Sequence, residues 1–189
     1  MQYENLEPGH YYHVFNQGNN KGNIFLEEKN YAYFLALLKK YILPLTEIYA
    51  YCLLPNHFHL LLKINEDVEP KKCAQAFSNF FNAYAKAINK SYQRSGNLFR
   101  RKFARKKIGN EDYLKKLVLY IHTNPQHHGI VGNFEEYGHS SYHAYLSEGN
   151  TNISKGYVLG LFEDKSNFRD SHYKKSDEID AAFNALLLE

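Results

Sequence analysis

Two histidines stand at alternate positions in Leu53-Leu54-Pro55-Asn56-His57-Phe58-His59-Leu60-Leu61-Leu62-Lys63-Ile64. The stretch reads as a β-strand entered through a Pro-Asn turn. Side chains alternate sides along a strand. Phe58, Leu60, Leu62 and Ile64 therefore make one apolar face directed at a core, and His57, His59, Leu61 and Lys63 make the other. At about 3.3 Å of rise per residue the imidazoles are rooted ~6–7 Å apart, close enough to converge on one ion. A strand holds such ligands in place before a metal arrives. A His-x-His pair on a solvated strand face looks the same in sequence, so the pair alone does not separate the two readings.

A second segment with chemical potential is Leu119-Tyr120-Ile121-His122-Thr123-Asn124-Pro125. In a helix Tyr120 and Asn124 are i, i+4 neighbours on one face, with Leu117 and Ile121 covering the adjacent buried side. A phenol and an amide one turn apart could both face the same ion. Most helical tyrosines, however, are packing residues with a bonded hydroxyl. His122 points to another side of the helix and reads as structural.

The elements that position these residues follow from periodicity and punctuation. His10 to Gln17 is rich in β-formers and reads as a first strand. Gly18 to Asn23 is a turn cluster. Glu27 to Tyr41 is helical, with Tyr31, Phe34, Leu35, Leu38 and Tyr41 on one face. Glu47 to Leu53 is a second strand, and the histidine strand follows it as a hairpin. Lys71 to Tyr92 is a long helix whose Phe77, Phe81, Tyr84 and Ile88 should face the core. Phe99 to Ile108 reads as a strand or extended arm. Asn110 is an N-cap candidate with Glu111 and Asp112 in the following first turn. That helix should end near Asn124, because the residue before Pro125 is pushed out of α geometry. Tyr157 to Phe162 is a short apolar unit, and Glu178 to Leu188 reads as a last helix. The order indicates an α+β fold, an antiparallel sheet with helices packed on one face. The histidine face is then either open or covered by a late helix. We divide the chain into a core of residues 1–145 and a C-terminal extension of residues 146–189.

Composition narrows the classes. The chain has 189 residues, 17 Tyr, 13 Phe, no Trp and two cysteines, Cys52 and Cys73. The cysteines form no spaced cluster, which argues against a structural zinc site or a disulfide framework. No apolar run reaches the length of a membrane span, and the first residues lack the regions of a signal peptide. A cytoplasmic protein is expected. The net charge of +3 hides its distribution: residues 71–110 hold 11 basic and no acidic side chains, against 5 basic and 8 acidic before them and 7 basic and 12 acidic after. The densest part carries Arg100, Arg101, Lys102, Arg105, Lys106 and Lys107, with Arg94 just upstream. Interleaved with Tyr84, Tyr92, Phe99 and Phe103, this patch suits a polyanion with stackable bases.

These motifs together resemble a known family. Pro55-Asn56-His57-Phe58-His59-Leu60 is similar to the His-hydrophobe-His signature of the single-tyrosine HUH transposases, and Tyr120-Ile121-His122-Thr123-Asn124-Pro125 to their tyrosine-helix motif. Tyr12-His13-Val14-Phe15-Asn16-Gln17-Gly18 resembles their opening strand, with Gln17 where arginine is usual. Ser95 to Phe103 and Val158 to Phe162 resemble the REP-associated tyrosine transposase branch. Gln126-His127-His128-Gly129 departs from the family's usual Val-Arg-Ala-Gly. The resemblance spans residues 10–165. It implies a ferredoxin-like or RRM-like core. It also implies that His57, His59 and Asn124 bind one divalent ion, Mg²⁺ or Mn²⁺, and that Tyr120 is a nucleophile forming a 5′-phosphotyrosine. The implied partner is single-stranded DNA beside a hairpin, gripped by Arg94, Arg100, Arg101, Lys102, Arg105, Lys106 and Lys107. A monomer is favoured over a homodimer, since the chain between His59 and Tyr120 is long enough to return to its own site.

Two other readings use the same residues. In one, a metal-dependent nuclease activates water and Tyr120 only packs. In the other, the chain is a non-enzymatic single-stranded nucleic-acid binder with a degenerate metal site.

Overall fold

The computed structural model describes residues 5–100 and 102–175. Arg101 and the helix expected over residues 178–188 lie outside the described residues. The elements in order are β1 (Tyr11–Gln17), α1 (Glu28–Tyr41), β2 (Thr46–Leu54), β3 (His57–Ile64), α2 (Pro70–Ser91), β4 (Ala104–Ile108), α3 (Glu111–His127), α4 (Tyr142–Leu146), α5 (Lys155–Leu161) and α6 (Lys165–Lys175). The strands form one four-stranded antiparallel sheet in the order β2-β3-β1-β4. The fold is α+β, as the alternation of patterns indicates.

The alternation in β3 sorts its residues as expected. Phe58, Leu60 and Ile64 are fully buried, and Phe58 packs on Phe34 of α1 and Phe81 of α2. Helices α1 and α2 thus cover one face. Helix α3 lies on the other and packs mainly on β2 and β3, so the histidine face is covered by a late helix. In α2, Phe77, Phe80, Tyr84 and Ile88 are buried while Phe81 is only partly so. The core stripe is therefore wider than the i, i+4 series from Phe77, because Phe80 turns toward Phe34.

Helix α3 starts where its cap chemistry places it: the Asn110 side chain accepts from Tyr113 N at 2.8 Å. Its end differs from expectation. The helix runs through Pro125 to His127. Proline removes only one donor from the ladder. The last turn closes through bonds from His128 N to Asn124 O, Ile130 N to Pro125 O and Gly129 N to Gln126 O. Gly129 takes φ +64°, the left-handed conformation that suits glycine after a helix. Asn124 and Pro125 are buried, and this packing outweighs the bias against helix before proline.

Residues beyond 145 continue the structure around α3. Phe168 and His172 of α6 are fully buried. They contact His122 of α3 together with Tyr142 and Tyr145 of α4.

Candidate metal and tyrosine site

In an antiparallel sheet, directly paired residues share a face. Gln17 pairs with His57, Phe15 with His59 and His13 with Leu61, so β1 contributes His13 and Phe15 to the histidine face. Helix α3 crosses this face and brings its own residues down. His57 Nε2 lies 3.3 Å from Asn124 Oδ1. The His59 and Tyr120 rings meet edge to face, centroids 5.5 Å apart, and those of His57 and His59 are 5.2 Å apart at 89°. His128, just past α3, sets its ring against His57 at 4.8 Å. The four residues singled out in sequence, His57, His59, Tyr120 and Asn124, are thus brought together.

Both histidines are anchored through Nδ1. His57 Nδ1 donates to Asn56 Oδ1 at 2.6 Å. Asn56 is itself fixed by the turn, since Gly18 N donates to its carbonyl at 2.8 Å. His59 Nδ1 lies 2.9 Å from His13 Nε2. Ligating histidines characteristically use their second nitrogen this way, which frees Nε2 for a metal. Burial and the neighbouring His128 push the His57 pKa down to about 4. Burial, then His13 and His57, holds His59 well below the usual range. Both are neutral at pH 7, the form that ligates.

The proton of neutral His57 sits on Nδ1, so Nε2 carries a lone pair, and the atom facing it is another acceptor, Asn124 Oδ1. Two acceptors directed at each other are repulsive unless a cation lies between them. Two imidazoles and an amide oxygen fit a divalent ion that takes nitrogen and oxygen ligands. Among the described residues no group of three or more His, Cys, Asp or Glu side chains could hold a metal, so the set depends on the Asn124 amide. Tyr120 is 6 % exposed. Burial raises its hydroxyl pKa above the usual phenol value, while the Asn124 amide works in the opposite direction.

The basic segment divides between environments. On β4, Lys106 pairs with His13 and lies on the histidine face. Its ammonium sits 5.7 Å from the Tyr113 ring centroid of α3. Arg105 and Lys107 pair with Val14 and Tyr12 and so point to the α2 side. There Arg105 lies over Phe103 and Lys107 is paired with Glu7 at 2.7 Å. Arg100 N donates to Gln17 O, which fixes this exposed residue at the end of β1 beside His57. Arg94 bonds Asn23 O, and Lys102 is exposed. Asn56, His13 and His128 were not singled out as site residues in sequence. His13 was the traceable one: it occupies an alternate position in β1, but only the strand order reveals that β1 lies beside β3.

His122 does not face the site. It is fully buried, bonded to Ser141 Oγ at 2.8 Å and to His172 Nε2 at 2.9 Å.

The sheet with His-x-His and the helix with tyrosine and an amide lie within the span of a family model: the chain belongs to the IS200-like transposase family, whose model matches residues 8–124. It is 31% identical over 104 residues to the "Putative REP-associated tyrosine transposase" of Haemophilus influenzae (strain ATCC 51907 / DSM 11121 / KW20 / Rd), a match covering 51% of this chain and 59% of that relative. The chain thus spans less than two thirds of the curated relative it matches. It shares its fold, with a TM-score of 0.63 at 18% identity, with a solved REP-associated tyrosine transposase bound to a REP hairpin, covering 84% of this chain and 92% of that one. Among the described residues no helix is long and apolar enough to cross a membrane.

Proposed function

We propose that this chain cleaves and rejoins single-stranded DNA through a covalent bond to Tyr120, at a site where His57, His59 and Asn124 hold Mg²⁺ or Mn²⁺. The observation that carries the reading is the convergence of these four side chains across β3 and α3, with His57 Nε2 3.3 Å from Asn124 Oδ1 and the Tyr120 ring on His59. When bound, the cation supplies Lewis-acid polarisation of a phosphate oxygen and favours phenolate. Tyr120 needs that help, because burial stabilises its neutral phenol.

In the reaction, Tyr120 Oη gives up its proton and bonds to phosphorus. The 3′ oxygen leaves and is protonated, and the 5′ phosphate stays esterified to the tyrosine. The ester keeps the bond energy, so a 3′ hydroxyl reverses the step without ATP. Arg100, at the end of β1, and Lys106, on the histidine face, lie where a strand entering this face would place phosphates. Arg94, Lys102, Arg105 and Lys107 extend the basic surface away from it. By kinship with the relatives above, we take the substrate to be a strand beside a hairpin of the REP type. The protein works as a monomer using its own tyrosine, because α3 packs on the sheet of its own chain.

The test is incubation with hairpin-bearing single-stranded oligonucleotides in Mn²⁺, read on a denaturing gel. A protein–DNA adduct that survives denaturation and is absent in Tyr120→Phe is expected. Cleavage without an adduct, retained in Tyr120→Phe, would replace this reading with a water-using nuclease. Binding without cleavage, unchanged by His57→Ala and His59→Ala, would replace it with a nucleic-acid binder.

A further inference from the structure

His13 has no part in the chemistry above, yet it is fully buried beside it. Its ring stacks on Phe15 at 4.6 Å and on His59 at 5.1 Å. His13 Nε2 is 2.9 Å from His59 Nδ1, and His13 Nδ1 is buried with no hydrogen-bond partner. Two neutral imidazoles at that distance share a single proton: one nitrogen donates and the other accepts. For His57 the corresponding partner is the Asn56 amide oxygen. That atom only accepts, so the His57 proton is fixed on Nδ1. For His59 the partner is a second imidazole, which can do either.

We infer that His13 is a positioning residue that sets the tautomer of His59, accepting from its Nδ1–H so that Nε2 is left free to ligate. The inference rests on the metal reading proposed above. It has a consequence specific to this chain. When His13 accepts through Nε2, its own proton must sit on Nδ1, the buried atom without a partner. The reverse arrangement, with His13 Nε2–H donating, leaves Nδ1 bare but puts a proton on His59 Nε2 and blocks it. Occupancy of the site and the position of these two protons are therefore linked. An orienting partner of this kind is worth roughly 10- to 100-fold in metal affinity.

Two measurements test this, neither of which reads activity. The first is imidazole ¹⁵N NMR of the wild-type protein with Mg²⁺. His59 should be protonated at Nδ1 and not at Nε2, with coupling from Nδ1 to His13 Nε2. The second is Mn²⁺ calorimetry on His13→Leu and His13→Gln. The leucine fills the buried space and cannot accept. It should weaken Mn²⁺ binding by roughly 10- to 100-fold, while glutamine, whose amide oxygen accepts, restores most of the loss. The inference is overturned if loaded wild-type His59 lacks a proton on Nδ1, if His13→Leu binds Mn²⁺ as the wild type does, or if both variants lose affinity equally. Should His13→Leu not fold, the wild-type spectrum decides alone. Wild-type protein that binds no divalent ion would bring down the metal reading itself, which separates that failure from this one.

Discussion

His172 links α6 to the tyrosine helix through a directed chain of hydrogen bonds, and replacing it by phenylalanine should give a stability penalty that depends on pH. His172 Nδ1 donates to Phe168 O at 2.7 Å. Its Nε2 therefore accepts from His122 Nδ1 at 2.9 Å, and His122 Nε2 accepts from Ser141 Oγ at 2.8 Å. Each imidazole is neutral, and each uses both nitrogens. Phenylalanine fits the aromatic surroundings of Phe168, Phe134 and Tyr142, but it leaves the buried His122 Nδ1–H unpaired. That costs about 1–3 kcal/mol at pH 7. Burial lowers the His172 pKa from 6.5 to about 4, with the bond to Phe168 O opposing it. Below pH 6.5 the unfolded state binds the extra proton, so this residue's contribution falls as the pH drops and levels off near 4. Between pH 7 and 5 the loss is about 2 kcal/mol. The variant is spared it. The gap between wild type and His172→Phe should therefore shrink from ~2 kcal/mol at pH 7 to near zero at pH 5. Urea unfolding followed by far-UV circular dichroism measures it, a suitable probe for a chain without Trp. A gap that stays constant or widens at pH 5 would refute the neutral chain.

Three further outcomes are expected. Gly18→Ala should destabilise by about 1–3 kcal/mol in urea melts, because a Cβ there would stand 1.9 Å from the Gly22 carbonyl oxygen, which is backbone and cannot step aside. Binding to a single-stranded oligonucleotide should weaken with salt at a log–log slope of about −3.5 if roughly five phosphates are neutralised, and Arg100→Gln should reduce the slope by about 0.7 in filter-binding titrations. Mixing inactive His57→Ala with inactive Tyr120→Phe should restore no adduct formation, since neither chain then holds a complete site; recovery of activity would show that tyrosines are exchanged between subunits.

The parts of this molecule legible in sequence are those set by local geometry. The two faces of β3 follow from a period of two, and both faces pack as the residue types require. The start of α3 follows from one side chain, Asn110, whose oxygen meets a free backbone N–H. The company kept by Tyr120 and Asn124 follows from their spacing of one helical turn. What sequence did not disclose depends on contacts between distant segments. The end of α3 is one such case, because the burial of Asn124 and Pro125 outweighs proline's local bias. The basic segment read as a single patch, yet strand alternation in β4 sends Lys106 to one face and Arg105 and Lys107 to the other. His13 looked like an ordinary strand residue until the order β2-β3-β1-β4 set it against His59.

The placement of the tyrosine helix follows from its tethers. Only Gly109 and Asn110 separate β4 from α3, and β4 is the sheet's edge strand beside β1. So short a link obliges α3 to begin at the edge of its own sheet. From there Leu117 and Ile121, fully buried, carry it across the histidine face. Its outer side is taken by α6 through the contacts of Phe168 and His172 with His122. For Tyr120 to serve another subunit, these buried contacts would have to open and the two-residue link would have to turn α3 away from its own sheet. Each turn of α3 that holds Tyr120 over His59 in its own chain is therefore bought with apolar burial that an exchanged helix would have to rebuild elsewhere. The contacts on the outer side of α3 thus support the proposal that Tyr120 serves the histidines of its own chain.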